Sequence, residues 1–310
     1  MYSKVIVPLD GSDLAEQALP YAELIAASLS VPVDLVQAYD ILPPSVLGVR
    51  GNQVIRQLDA GARQRAEALM EPAQQRLQAG GISVNLVAQR GPAADTIVAQ
   101  AGIDPQALVV MCTHGRGGIS RWVMGSVTDK VLHTIPNPML IVRATVTGPA
   151  SPGTSLRSVI VPLDGSGLSE LAVPHAVSVA AALSARITTL QITPTLDYYR
   201  HQLTAVTPEL GAIPDFDPGS PEELTAEDAA NASAYLADVT NRMAIDHAHG
   251  VVGEHVVSDN IAQSIIERAT NEPSLVVMTT HGRSGVGRMV LGSVTDRVIR
   301  HSNVPVLVIR

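Results

Sequence analysis

The chain has 310 residues and a formal net charge of −8 at pH 7, with 46% hydrophobic but only 3% aromatic residues. This length predicts about two domains with aliphatic cores. The acidic balance excludes a general nucleic-acid-binding protein, which would carry a basic face. Cys112 is the only cysteine, so no disulfide can form within the chain. Because neither a secretory signal nor a membrane-spanning apolar stretch is present, we expect a cytoplasmic protein without membrane or nucleic-acid partners.

The sequence repeats itself. KVIVPLDGS at Lys4–Ser12 recurs as SVIVPLDGS at Ser158–Ser166, an offset of 154. Residues Val109–Arg143 recur at Val276–Arg310, an offset of 167, with 19 of 35 positions identical. The second copy therefore carries a net insertion of 13 residues. The predicted organisation is a first domain over residues 1–144, a Gly-, Pro- and Ser-rich linker over 145–156 and a second domain over 157–310.

Strand and helix patterns alternate along the first copy. Short Val/Ile/Leu-rich runs predict strands, and apolar residues at helical spacing predict helices. The predicted strands cover residues 4–9, 31–39, 82–88, 107–112 and 138–143. The predicted helices cover residues 14–29, 53–79, 93–101 and 127–134. Pro20 lies inside the first helix and Pro174 at the matching place in the second copy, so we expect both helices to bend there.

Near-continuous apolar strands are typical of parallel sheets that are buried on both faces. Five such strands alternating with four helices predict an α/β fold, with each copy a doubly wound five-stranded parallel sheet covered by helices on both faces. Ligands of these folds bind outside the carboxyl ends of the strands. Asp10 follows the first strand and the loop Cys112–Ser126 follows the fourth. If those strands are neighbours, both features face one crevice.

The loop after the fourth strand is rich in glycine but matches neither the G-x-G-x-x-G fingerprint nor the P-loop pattern. In it, nine residues separate Gly115 from Gly125-Ser126, and a helix pattern follows. The N–H groups of Ser126, Val127 and Thr128 at a helix start suit an anion. An alternative needs no ligand, because Ser-Val-Thr-Asp beginning at Ser126, and again at Ser293, has the form of a capping box.

Three sequence landmarks give each copy a resemblance to a universal stress protein domain: VIVPLDGS, THGR followed by GSVTD, and the final PMLIVR or PVLVIR. The family motif, G-x2-G-x9-G-[ST], holds the phosphates and ribose of ATP in nucleotide-binding members. Its last three positions are matched by Gly115, Gly125 and Ser126, and in the second copy by Gly282, Gly292 and Ser293. Cys112 and Thr279 stand where the motif has its first glycine, and this departure argues against tight ATP binding.

The resemblance implies further site residues. Asp10 and Asp164 match an acidic residue near the nucleotide, Ala38 and Ile192 the contact with the adenine edge, and Gly91 a loop near the ribose. The second copy departs there, with Ser258-Asp259-Asn260-Ile261. The implied nucleotide-binding set is Asp10, Ala38, Gly91, Cys112, His114, Gly115, Arg116, Gly125, Ser126 and Val127, with Asp164, Ile192, Thr279, His281, Gly282, Arg283, Gly292, Ser293 and Val294.

No catalytic residue and no protein metal site are predicted. His114 and His281 lack a neighbouring nucleophile with an orienting acid, so we interpret them as loop histidines that bond backbone. Two interpretations stay open for Arg116 and Arg283: a phosphate contact through the guanidinium, or solvated loop side chains. We interpret Cys112 as a packing residue.

The resemblance implies a regulator that binds ATP, or AMP or ADP, with at most slow hydrolysis; Mg²⁺ would arrive with the triphosphate. It also implies edge-to-edge pairing of the last strands, Met139–Arg143 and Val306–Arg310, and a homodimer. The resemblance does not identify a protein partner. Two alternatives remain. One is an interaction or scaffold module without nucleotide binding. The other is an adenine-nucleotide α-hydrolase, but those enzymes have a double glycine after the first strand that the PLDGSD sequence of this chain lacks. The proline-rich acidic segment Leu196–Asn231 predicts a surface loop, with a lid or a partner-binding segment as alternatives.

Overall fold

A computed structural model describes residues 2–41, 52–113, 124–143, 155–201, 220–280 and 291–310 of the chain. Contacts divide it into two units. One unit holds the first copy together with Ile299–Arg310, and the other begins at Leu156. The last strand of the chain therefore belongs to the first unit.

The sheet of the first unit contains six strands, namely β1 (Lys4–Pro8), β2 (Val33–Tyr39), β3 (Val84–Arg90), β4 (Ala107–Cys112), β5 (Met139–Val142) and β10 (Val306–Ile309). Their order is β3-β2-β1-β4-β5-β10. The first five are parallel, which confirms the predicted sheet. β1 and β4 are neighbours, so the condition stated above for Asp10 and the end of β4 to lie at one edge is met. β10 runs antiparallel to β5, with Val306 opposite Ile141. The predicted pairing of the two last strands is confirmed.

The helices of the first unit are α1 (Asp13–Glu16), α2 (Leu19–Leu29), α3 (Asn52–Ala79), α4 (Ala93–Gly102) and α5 (Ser126–Thr134). The bend predicted at Pro20 is wrong, because two separate helices replace the single helix and Pro20 is the second residue of α2. Proline is tolerated there because the first N–H groups of a helix have no intrahelical partner. α4 and α5 pack against each other.

The second unit contains β6 (Ser158–Pro162), β7 (Arg186–Thr193), β8 (Val251–Val257) and β9 (Ser274–Thr279), all parallel, in the order β9-β6-β7-β8. Its helices are α6 (Ala172–Leu183), α7 (Pro221–Asp246), α8 (Ile261–Thr270) and the greater part of α9 (Ser293–His301), which from Ile299 onward belongs to the first unit. A 3₁₀ turn at Ser169–Leu171 precedes α6, so Pro174 lies in the first turn of a new helix and does not bend a longer one.

The predicted surface loop Leu196–Asn231 is wrong where the structure describes it. Residues 196–201 are helical, and α7 begins at Pro221. Ser220 caps α7 in a capping box with Glu223, in which the Glu223 N–H donates to Ser220 Oγ at 3.1 Å. Proline suits the first helical position, so Pro221 starts this helix, whereas its presence in the sequence had indicated a loop.

The cores lie between the strands and the small side chains of the helices. The central strand β4 is buried throughout, and α2 presents Ala22, Ile25 and Ala26 to the interior. Because alanine side chains are small, the helices approach the sheet closely. Most of the buried apolar surface then comes from the aliphatic side chains of the strands. No helix in the described ranges combines the length and the apolar character needed to span a membrane.

Candidate functional site

The chain makes a tight turn where it leaves β1. Asp10 Oδ1 accepts from the Ser12 N–H at 3.0 Å and from Ser12 Oγ at 2.6 Å. Ser12 Oγ in turn accepts from the Ala15 N–H at 3.2 Å and caps α1. Gly11 between them has φ +75°, a conformation that glycine adopts without steric cost. The Asp10 carboxylate is thereby fixed at the carboxyl edge of the sheet.

The chain is also pinned where β4 ends. The Thr113 N–H donates to the Val142 carbonyl at 2.9 Å, and the Thr113 carbonyl accepts from the Gly125 N–H at 2.7 Å. Thr128 Oγ1 donates to the buried Cys112 carbonyl at 2.8 Å. These bonds close the glycine-rich loop at its base and hold the first turn of α5 against the end of β4. Because β4 pairs with β1, Asp10 and the start of α5 lie at the same edge.

The start of α5 differs from the capping box considered above. The N-cap is Gly125, whose carbonyl accepts from the Asp129 N–H at 2.9 Å, and no side chain caps the helix. Ser126 is therefore the first helical residue and is exposed. The Thr113 bond holds Gly125 extended, with φ −60° and ψ 143°, and this moves the cap one residue earlier. The N–H groups of Ser126, Val127 and Thr128 thus occupy the first turn, where no intrahelical acceptor reaches them.

The second copy repeats these contacts. Asp164 Oδ1 accepts from the Ser166 N–H at 3.0 Å and from Ser166 Oγ at 2.6 Å. The Gly292 N–H donates to the Thr280 carbonyl at 2.8 Å, and Thr295 Oγ1 to the Thr279 carbonyl at 2.9 Å. The Gly292 carbonyl accepts from the Asp296 N–H at 2.9 Å, and α9 begins at Ser293, so here too the predicted capping box is wrong.

Ala38 and Gly91 lie at the same carboxyl edge, on neighbouring strands. Ala38 is half-buried near the end of β2, opposite Gln89 of β3. The Gly91 N–H donates to the Tyr39 carbonyl at 2.9 Å, and Gly91 has φ +143°, which L side chains rarely adopt. This loop therefore requires glycine.

In the second copy Ile192 and Thr193 occupy the places of Ala38 and Tyr39, as the registers of β2 with β3 and of β7 with β8 show. The Ser258 N–H donates to the Thr193 carbonyl at 2.9 Å, so Ser258 corresponds to Gly91. It does not share the positive φ. The loop that follows is accordingly built differently in the second copy.

Cys112 behaves as the packing residue expected from the sequence. Its side chain is 6% exposed, and burial, followed by the nearby Asp10 carboxylate, raises the pKa of the thiol to about 12. A thiol with that pKa carries almost no thiolate near neutral pH. Thr279 is similarly buried at the end of β9.

The structure thus brings together most of the sequence-predicted residues at two matching edges. The first edge holds Asp10, Ala38, Gly91, Cys112, Gly125, Ser126 and Val127, and the second holds Asp164, Ile192, Thr279, Gly292, Ser293 and Val294. His114, Gly115, Arg116, His281, Gly282 and Arg283 lie outside the described residues. In the described ranges no group of three or more His, Cys, Asp or Glu side chains is arranged to hold a metal ion.

Sequence reasoning missed the residues that build this edge. The hydroxyls of Thr128, Thr295, Ser12 and Ser166 fix the turns, yet none of these four side chains was given a role from the sequence, and Thr128 was named only for its backbone N–H. One signal for them was present, since all four occur at identical places in both copies. An arrangement with backbone donors at a helix start and a fixed carboxylate beside them suits a phosphate-bearing ligand with an accompanying cation.

Comparison with known proteins agrees with this architecture. The profile of the Universal stress protein family matches residues 1–143 and 155–310. A universal stress protein of Mycolicibacterium smegmatis is 24% identical over 317 residues, which cover 99% of this chain and 96% of that protein. The universal stress protein Rv2623 of Mycobacterium tuberculosis is 27% identical over 318 residues, with 99% and 96% covered.

A solved structure supports the fold. The crystal structure of a universal stress protein from Archaeoglobus fulgidus aligns with a TM-score of 0.60 at 17% identity and covers 99% of this chain and 96% of that chain. Since the family profile matches both copies over nearly their whole length, this chain belongs to the universal stress protein family and carries its domain twice in tandem.

Proposed function

We propose that this protein is a cytoplasmic regulator of the stress response that binds adenine nucleotide, ATP foremost and AMP or ADP as alternatives. One observation carries the proposal. The first turn of α5, which begins at an N-cap glycine without a side-chain cap, lies at the carboxyl end of β4 beside Asp10. Uncapped backbone donors with the positive end of a helix dipole favour phosphate.

The remaining residues of the first edge have complementary roles in this proposal. The backbone at Ala38 meets the edge of the adenine ring, and the loop at Gly91 lies against the ribose. Asp10 supplies a carboxylate oxygen to a Mg²⁺ ion that arrives with the triphosphate, since hard cations prefer oxygen ligands. The bound nucleotide regulates the protein, and no side chain is assigned to catalysis.

The proposal is tested by the nucleotide content of the purified protein. We expect denaturation to release ATP, AMP or ADP that mass spectrometry identifies, and calorimetry of the emptied protein with ATP and Mg²⁺ to give saturable binding. The matched control is the double variant G125D/G292D. Aspartate is a favourable N-cap, so both helices should remain folded while its carboxylate occupies the donors and repels phosphate. No released nucleotide, together with no binding at millimolar ATP, would contradict the proposal.

Slow hydrolysis is the second part of the proposal. Single-turnover phosphate release from the ATP complex should be much slower than the median enzyme turnover of roughly 10 s⁻¹. Turnover at or above that rate, lost in G125D/G292D, would instead identify an enzyme.

A second candidate function is an interaction module that has lost nucleotide binding. Cys112 and Thr279 favour it, because each places a buried side chain where the family motif has glycine. The same calorimetry separates the two candidates. Restoring glycine with C112G/T279G should strengthen ATP binding under the first function and leave it absent under the second.

A further inference from the structure

The connection from β3 to α4 differs from its counterpart in the second copy. In the first copy Gly91 and Pro92 lie between strand and helix, and Pro92 is the N-cap. In the second copy Ser258, Asp259 and Asn260 lie there, and Asn260 is the N-cap. Because the main-chain bonds equate Ser258 with Gly91, Asp259 is one additional residue inserted at the edge of the second site.

Asp259 ties this edge to the chain that leaves β7. Its Oδ1 accepts from the Thr195 N–H at 2.8 Å, and its Oδ2 accepts from Thr195 Oγ1 at 2.7 Å. These two bonds, the backbone one foremost, lower the pKa of Asp259, so the carboxylate is charged at neutral pH. The carboxylate therefore adds a fixed negative charge that the first copy lacks at this place.

The helices that follow these connections, α4 and α8, also differ in how their first N–H groups are capped. Asn260 Oδ1 accepts from the Gln263 N–H at 3.3 Å, so a side chain already uses one donor at the start of α8. Pro92 has no side chain able to do this, and α4 has no side-chain cap. The side-chain cap therefore takes up one backbone donor at the start of α8 that has no side-chain acceptor at the start of α4.

The second strands of the two copies end beside different side chains. In the first copy Tyr39, at the end of β2, lies near Asp59, Arg63 and Arg90. Burial and then the Asp59 carboxylate raise the pKa of Tyr39, while the two arginines act in the opposite direction. In the second copy Val257 stands opposite Thr193, at the place that Arg90 has opposite Tyr39.

Acidic side chains collect near the second edge. The pKa of Tyr235 on α7 is raised by burial and then by the Glu170 carboxylate, with Asp164 also contributing. Tyr199 donates to the Asp228 carboxylate, and Arg200 pairs with Glu222 at 3.0 Å. Glu170 is paired with Arg242 at 3.0 Å, and Asp164 corresponds to Asp10 of the first copy. The carboxylate that distinguishes the second edge is therefore that of the inserted Asp259.

A nucleotide bound by its phosphates at the helix start is long enough to reach the part of the edge at which the two copies differ. From the end of β9, where the helix start lies, to the end of β8, where Asp259 lies, there are three strand spacings, roughly 14 Å. A ligand held by its phosphates at the helix start reaches the opposite edge with its nucleoside. The phosphate groups also add negative charge, which the fixed carboxylate of the exposed Asp259 repels across the solvent-accessible edge.

We propose that the two copies are not equivalent: adenine nucleotide binds in the first copy, and Asp259, bound to Thr195, excludes it from the second. This inference rests on the proposed function and names the site at which that function operates. Asp259 is the residue that determines the selectivity of the second site.

The experiment is calorimetric titration of the full chain with ATP and Mg²⁺, with thermal melting as the check on folding. We expect wild type to bind one ATP per chain, G125D to bind none, and G292D, at the matching position of the second copy, still to bind one. In the G125D background, where the first site is blocked, D259A should restore binding with at least a tenfold gain in affinity. Adding G292D to that double variant should abolish it.

The outcomes separate the two proposals. Two equal ATP sites in wild type, or a single site lost in G292D and kept in G125D, would overturn the inference and leave the proposed function standing. A folded G125D/D259A protein without ATP binding would overturn the role of Asp259. No ATP binding by wild type would refute the proposed function, and the inference with it.

Discussion

The two copies keep the same contacts at one part of the carboxyl edge and differ at another. After the first strand of each copy, the aspartate and serine of the turn make bonds of the same lengths, 3.0 and 2.6 Å. After the fourth strand, the threonine that braces the helix makes bonds of 2.8 and 2.9 Å. The copies differ where the second and third strands end, at Gly91 and Ser258. Duplication has preserved the part of the edge formed by the first and fourth strands, which suits a phosphate, and altered the part formed by the second and third strands.

The largest expected effect concerns a partly buried ion pair at a place where the second copy has uncharged residues. Lys4 Nζ lies 2.8 Å from Asp34 Oδ2, with side chains 18% and 6% exposed, and Asn85 donates to Asp34 Oδ1 at 2.9 Å. We expect D34A to lower the free energy of unfolding by about 3 kcal/mol, because it leaves the partly buried ammonium of Lys4 without its carboxylate partner. Urea unfolding measures the change.

The matched control replaces the cluster with its second-copy counterparts. Ser158, Thr188 and Val252 stand at the positions of Lys4, Asp34 and Asn85, as the strand registers show. The triple variant K4S/D34T/N85V removes both charges together, so we expect it to lose less than about 1 kcal/mol. A triple variant as unstable as D34A would show that the two cores do not tolerate each other's residues.

The second effect concerns a difference in packing between helix and sheet. A Cβ at Gly253 of β8 would lie 3.2 Å from Leu236 Cβ and 3.2 Å from Thr240 Oγ1 on α7. The first copy has Leu86 at the strand position that corresponds to Gly253. When the buried positions of the two helices are aligned, Ala66 of α3 corresponds to Leu236 of α7. The large side chain thus lies on the strand in one copy and on the helix in the other.

We therefore expect G253L to lower the free energy of unfolding by about 2 kcal/mol through overpacking, and L236A in the same chain to recover at least half of that loss. Urea unfolding of both single variants and the double variant gives the coupling energy between the two positions. Simple additivity of the single changes would contradict the compensation.

Most of the fold was predictable from the sequence, and the features that were not predictable have a common physical cause. The strands and the positions of Asp10 and Gly125 at one edge follow from local apolar runs and from the rule for parallel sheets. The start of α5 was not predictable, because a serine cap and a glycine cap both suit the sequence and the bond from Gly125 to Thr113 decides between them. The role of Asp259 depends on Thr195, 64 residues away. Local pattern carries no information on either contact.

The third effect tests the backbone of the two edge loops. Gly91 has φ +143°, so G91A should strain the loop and lower the free energy of unfolding by about 1–2 kcal/mol. The matched variant S258A keeps an ordinary backbone and loses only the bond from the Asn260 N–H to Ser258 Oγ, 3.1 Å long. It should cost at most about 1 kcal/mol. Equal losses in thermal melts of the two variants would show that the loops are not built as differently as their conformations indicate.

The smallest effect concerns a feature that both copies share. α2 and α6 each end at a serine in the left-handed conformation, Ser30 with φ 56° and Ser184 with φ 53°. Glycine adopts this conformation without the Cβ penalty, and it is the usual residue at such a helix end. The greater freedom of glycine in the unfolded chain opposes the gain, so we expect S30G and S184G each to add about 0.5 kcal/mol to the free energy of unfolding.

Because the two serines end separate helices in separate units, the double variant S30G/S184G should add about 1 kcal/mol, the sum of the single effects. Urea midpoints at constant m-value measure all three variants. This pair calibrates the comparison between the copies, since the same change in the same local geometry should have the same effect. A gain in one copy and a loss in the other would mean that the same substitution has different effects at places where the two backbones agree. The changes in the free energy of unfolding predicted at Asp34, Gly253 and Gly91 would then have to be corrected for that difference between the copies.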